Sequence, residues 1–170
     1  SGMRYREFGK TGISISALGF GAMRLPERQR NGRWEIEEDA ALRVIHRAFD
    51  LGVNYIDTAF GYCHDQSEIV VGKAIKGRRD RVYLSTKMPT QRANKKSDYR
   101  DYLERQLRKL DTDYIDFYYF HALTLQRWND IVVRFDMMED ALKAKAQGLI
   151  RHISFSFHDR PEVLKMLADT

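Results

Sequence analysis

The chain has 170 residues, of which 43% are hydrophobic and 31% charged, enough apolar material for one domain with a buried core and too much for a disordered segment. Lys and Arg number 29 against 24 Asp and Glu, and this formal charge of +5 is dispersed, with its densest stretches (KGRRDR and QRANKK) at expected loops or helix ends; no nucleic-acid partner is expected. The single cysteine, Cys63, excludes an internal disulfide and a zinc site with two thiolates and fits a reducing cytoplasm, while the absence of a cationic leader or of about 20 consecutive apolar residues argues against secretion or a membrane span.

Ser1 and Gly2 precede Met3 and read as a tag-cleavage scar, leaving residues 3–170 as the domain. YREFGKTGISISALGFGAM predicts a β-hairpin turned at Gly9 and Gly12, running into a strand near Ala17 to Phe20. From about Glu37, Ala41, Ile45, Ala48 and Phe49 recur at helical spacing, and Gly52 stands where a left-handed cap is wanted. The short strand NYID follows. Ser67 is expected to cap a helix bearing Val70, Val71, Ala74 and Ile75, ended by Gly77 and followed by the strand VYLSTK. Tyr99, Leu103, Leu107 and Leu110 stripe a third helix, and YIDFYYF beyond it has the continuous apolar character of a strand covered on both faces. A fourth helix from about Met137 ends at Gly148, the strand IRHISFSF comes next, and Pro161 opens a fifth helical segment.

Strand and helix alternate with the spacing of βαβ units, so the strands must be parallel. An open doubly wound sheet would carry GxGxxG after its first strand, whereas LGFGAM has two glycines and meets no helix directly. The expected fold class is therefore α/β, a TIM-type β/α barrel of which the first five βα units are present, with the N-terminal hairpin across its floor. Five strands do not close a ring of eight; loss of the remainder is expected over a natural half-barrel.

In such barrels the chemistry collects at the C-terminal ends of the strands. The second strand ends in Asp57, the third in Lys87 and the fourth in His121, and the loop after the second supplies Tyr62. Taken singly, Asp57 reads as a turn former, Lys87 as a solvated cation, His121 as a structural imidazole and Tyr62 as packing. Convergence of an acid, a base and an imidazole on one rim changes that reading, because adjacent strands lie only about 4.8 Å apart. Phe60, Tyr118, Tyr119 and Phe120 surround the set in sequence, and His64 and Trp128 fall in rim loops that could select substrate.

YIDTAFGY, SEIVVGKAI, VYLSTK and the run LDTDYIDFYYFH together resemble the aldo-keto reductases. The resemblance covers the chain after its first two residues and implies a catalytic tetrad of Asp57, Tyr62, Lys87 and His121. It implies reduction of a small-molecule carbonyl by hydride from NADPH, with no metal. A phenol, Tyr62, would protonate the carbonyl oxygen, and an ammonium, Lys87, would stabilise the phenolate left behind. Asp57 would hold Lys87, and His121 would orient the carbonyl. The resemblance also implies cofactor contacts at Gly21, Ala22, Met23, Asp57 and Ser156. Ser156 stands where ISFSFH matches the family's GVSNF, and Phe157 replaces the asparagine there. The family's remaining cofactor-binding elements lie on later strands, so weak cofactor binding is expected of this chain alone. HAL and FSFHD resemble a branch whose longer members carry an iron-sulfur segment, although one cysteine cannot hold a four-thiolate cluster. Two other readings stay open: a Schiff-base lysine of the aldolase type at Lys87, and a fragment that keeps the fold without turnover.

Overall fold

A computed structural model describes residues 2–157. The expected fifth helical segment at Pro161 lies outside them. Strands β1 (Tyr5–Glu7) and β2 (Ser14–Ser16) form an antiparallel hairpin, and a second pairs β4 (Glu27–Arg30) with β5 (Arg33–Ile36). The main sheet runs in the order β3 (Phe20–Gly21), β6 (Tyr55–Asp57), β7 (Tyr83–Met88), β8 (Ile115–Leu123) and β9 (Ile150–Phe157), parallel throughout. Each strand pairs with its sequence neighbour, the progression by which a β/α barrel winds, rather than the reversed order of a doubly wound sheet.

Helices α1 (Glu38–Asp50), α3 (Ser67–Ile75), α4 (Asp98–Leu110) and α6 (Met137–Ala146) cover the outside of this sheet, with short turns α2 (Tyr62–Asp65) and α5 (Leu125–Arg127) at the rim. None among the described residues is long and apolar enough to cross a membrane. Helix α1 buries Ala41 and Ile45, places Glu38 and Asp39 in its first turn and Arg47 in its last, as the helix dipole favours. The core lies between helices and sheet: Ile56, Leu84 and Ile115 meet Val71, Ala74, Leu103, Leu110 and Ala141, all fully buried, and a side chain of the Leu or Ile size contributes about 1.5–3 kcal/mol there. Gly72 permits α3 to lie on the end of α4, since a Cβ there would stand 2.6 Å from the Leu110 carbonyl oxygen.

The first hairpin occupies the floor, as its position in the sequence led us to expect. Phe8 packs edge-on against Phe117 with ring centres 4.8 Å apart, and Phe117 stacks on His152. Asn54 fastens the hairpin by accepting from the Ser16 N–H at 2.8 Å and donating to the Ser14 carbonyl at 3.0 Å.

Three local expectations change. The first barrel strand is shorter and later than Ala17 to Phe20. Ser67 does not cap α3; it lies inside the helix, where its hydroxyl meets that of Thr58 at 2.9 Å and donates to the Ala22 carbonyl at 2.8 Å. Burial there gave the hydroxyl better partners than the helix's own amides. The hairpin β4–β5 went unpredicted, although its turn is Asn31-Gly32 with φ of 51° and 75°, the pairing that a tight hairpin turn requires.

Candidate active site

Side chains alternate along a strand, so Tyr55 and Asp57 share one face of β6, and Ser85 and Lys87 share one face of β7. The register sets Asp57 beside Ser85 and Lys87 beside Tyr119. On this inner face Lys87 Nζ donates to Asp57 Oδ1 at 2.8 Å, to Asp57 Oδ2 at 2.7 Å and to the Thr58 carbonyl oxygen at 2.8 Å. All three ammonium hydrogens have acceptors, which a charge with a side chain only 9% exposed requires. The Ser85 hydroxyl donates a short hydrogen bond to Asp57 Oδ1.

Tyr62 reaches the same place from the rim. Its ring centre lies 4.8 Å from Lys87 Nζ and 6.0 Å from the His121 ring, the two rings being nearly perpendicular. The turn that carries Tyr62 continues through Cys63, His64 and Asp65 with φ of 51°, 55° and 64°. Three successive non-glycine residues in the left-handed region cost about 1–2 kcal/mol each. Neighbours hold them there: Asp65 pairs with Arg92 at 2.9 Å, the His64 and Trp34 rings stack, and the Cys63 thiol points at the Ala22 and Met23 carbonyls. Burial raises the Cys63 thiol above its usual range, so it stays protonated.

A bulge presents His121. Between Phe120 and Leu123 strand β8 has one more residue than β9 has between Phe155 and Phe157, and Ala122 in that interval has φ 53°. Ser156 therefore stands opposite the bulge.

Two clefts adjoin the Asp57, Lys87 and Tyr62 group. One, of about 470 Å³, is lined by residues including Gly19, Gly21, Tyr55, Asp57, Lys87, Tyr119, Phe155 and Ser156. The other, of about 670 Å³, is lined by residues including Met23, Glu27, Tyr62, His64 and Arg92. Tyr55 stays a neutral phenol, since burial raises its pKa and nearby Tyr119 and Asp57 reinforce this against the opposing Ser85 hydrogen bond. Among the described residues no group of His, Cys, Asp and Glu could hold a metal ion.

The four residues singled out for catalysis are thus brought together. Of the five expected at the cofactor, Gly21, Asp57 and Ser156 line the first cleft and Met23 the second, whereas the Ala22 side chain is fully buried and its N–H is spent on the Asp57 carbonyl. Of the aromatics, Tyr119 faces Lys87, but Tyr118 and Phe120 point outward onto Tyr99, and Phe60 packs on Tyr102. His64 does reach the rim cleft, and Trp128 packs on Phe155. The sequence reading missed Ser85, Thr58 and Tyr55. Ser85 and Tyr55 were findable, each standing two residues before a candidate on the same strand face.

The description "Aldo/keto reductase family" matches residues 17–170, and the chain belongs to that family. It is 34% identical over 164 residues to the aldo-keto reductase YhdN of Bacillus subtilis (91% of this chain, 47% of that protein). It is 31% identical to the uncharacterized oxidoreductase YqkF of the same organism, over 96% of this chain and 51% of that protein. Among solved structures, the holo form of aldo-keto reductase AKR11C1 from Bacillus halodurans superposes with a TM-score of 0.80 at 32% identity, over 98% of this chain and 54% of that one. An aldo-keto reductase from Klebsiella pneumoniae in complex with NADPH gives 0.77 at 31% identity, over 94% and 51%. The chain spans about half the length of these relatives, and the five parallel strands of the main sheet among the described residues form part of a TIM barrel.

Proposed function

We propose that the protein reduces an aldehyde or ketone to the alcohol with NADPH as hydride donor. The observation that carries this reading is the Lys87 ammonium, saturated by Asp57 and Thr58 and set 4.8 Å from the Tyr62 ring. The cofactor reading is supported by the NADPH complex of the Klebsiella pneumoniae relative and by the fit of the first cleft. Gly21 forms part of its wall as bare backbone, where an added Cβ would meet nothing within 4 Å, and Asp57, Ser156 and Tyr119 supply polar and aromatic surface for a flat carboxamide-bearing ring. NADPH, when bound, supplies the hydride.

The chain's own residues do the rest. Tyr62 gives its phenolic proton to the carbonyl oxygen as negative charge develops there. Lys87 stabilises the phenolate that remains, and Asp57 keeps the ammonium from turning away. His121 donates a hydrogen bond that orients the carbonyl. Gly21, Asp57 and Ser156 form the cofactor side, with Met23 on the adjoining cleft; the Ala22 backbone, its N–H on Asp57 and its carbonyl on Ser67, holds Gly21 in place. A Schiff-base role for Lys87 needs a free amine lone pair, which three hydrogen bonds donated by Nζ oppose.

The test uses NADPH deuterated at the transferred position with a panel of aldehydes, dialdehydes and ketones. Deuterium at the carbinol carbon is the expected result. Borohydride trapping of a substrate on Lys87 with no deuterium transfer would establish the lysine chemistry instead.

A further inference from the structure

Behind Lys87, on the outer face of the sheet, lies a buried carboxylate with no part in the chemistry just described. Glu68, on the first turn of α3, is wholly inaccessible to solvent. Its Oε2 accepts from the Thr86 hydroxyl at 2.7 Å and from Gln106 Nε2 at 3.0 Å. The same Gln106 nitrogen donates to the backbone carbonyl of Lys87 at 2.8 Å, and Gln106 Oε1 accepts from the Tyr118 hydroxyl. Lys109 Nζ stands 3.3 Å from Glu68 Oε1, close enough for an ion pair but not aligned as a hydrogen bond.

Burying a carboxylate costs several kcal/mol even after relaxation, and a well-packed apolar side chain of that volume is often the more stable choice. Burial accordingly pushes the Glu68 carboxyl above the usual range, against the pull of Lys109, Thr86 and Gln106. The penalty is met where it constrains the site: Thr86 and the Lys87 carbonyl are the backbone from which the ammonium projects to the opposite face. Ser67, the preceding residue, meanwhile grips Thr58 and the Ala22 carbonyl. One turn of α3 thereby fastens the C-terminal ends of β3, β6 and β7 together.

We infer that Glu68, acting through Thr86 and Gln106, is a positioning residue that fixes Lys87 against Asp57 and Tyr62. The inference rests on the reductase reading for its kinetic consequence, but its mechanical content can be measured apart from turnover.

The experiment compares the intact protein with Glu68→Leu and Glu68→Gln. It measures steady-state carbonyl reduction and, by mass spectrometry, the rate at which formaldehyde and cyanoborohydride methylate Lys87, with exposed Lys73 as internal reference. Because a small displacement of a reacting group has large kinetic effects, Glu68→Leu is expected to lower kcat at least about tenfold with the carbonyl KM changed less than about twofold, and to speed Lys87 methylation at least about tenfold. Glu68→Gln keeps an oxygen for Thr86 and Gln106 and is expected to hold both quantities within about threefold of the parent. A folded Glu68→Leu protein with kcat and Lys87 methylation both unchanged overturns the inference, as does equal impairment of the two variants, which would report lost charge rather than lost anchoring. If Glu68→Leu does not fold, Gln106→Leu, which cuts the link to the Lys87 carbonyl, is read by the same criteria. Should the parent protein reduce no carbonyl, the reductase reading falls, and the methylation rates alone decide whether Glu68 holds Lys87.

Discussion

Asp57 and Asp116 show how similar carboxylates take different parts. Asp57 ends a strand and keeps its side chain 29% exposed on the cleft, holding a cation that other groups can reach. Asp116 sits two residues into β8 with its side chain 10% exposed, accepts from the Leu84 N–H at 2.9 Å and pairs with Arg79 at 2.8 Å. Arg79 spends its other donors on Thr112 and on the Val82 and Tyr114 carbonyls. That cluster is a staple among the starts of β7 and β8 and has no open side toward the clefts at the other end. Asp116→Ala is therefore expected to lower stability by about 3 kcal/mol, the low end of what breaking a buried pair costs, because Arg79 keeps three other partners. Urea unfolding of the variant checks this, and a loss below about 0.5 kcal/mol, the scale of ordinary surface substitutions, would show the staple to be slack. Strand ends were the legible clue to Asp57, Lys87 and His121. Ser85 was legible by the same alternation and passed over, because a serine in a strand carries no chemistry until its partner is known.

At the level of elements, the alternation of apolar strands with striped helices gave the order and nearly all the boundaries of the barrel portion. What escaped was set by contacts between distant segments. The hairpin β4–β5 has exposed, charged strands with little apolar alternation, so the Asn31-Gly32 turn was its only local sign; in the fold Gln66 fixes it by accepting from the Ile36 N–H and donating to the Trp34 carbonyl. Gly72 likewise looks like a helix defect in sequence, and only the approach of Leu110 explains it. Gly72→Ala gains helix propensity of up to about 1 kcal/mol yet forces a methyl onto backbone that cannot swing aside, so a net destabilisation of about 1–2 kcal/mol is expected from its urea midpoint. A stabilised variant would mean that α3 and α4 can slide apart freely.

Across the whole molecule, the candidate site exists only because four separate elements deliver one group each: β6 brings Asp57, the α2 turn Tyr62, β7 Lys87 and β8 His121. The parallel winding puts these ends on one rim, the floor hairpin fills the other end, and the helices supply the buried surface that holds the strands in register. Groups that act as one unit lose activity together rather than in proportion. The direct test is NADPH-dependent carbonyl reduction by Tyr62→Phe, Lys87→Met and the double variant, alongside NADPH affinity for each. Each single change is expected to cost about 10²–10⁴ in turnover with NADPH affinity retained, and the double variant is expected to lose little more than the worse single one. Near-parental turnover by Tyr62→Phe would contradict the account.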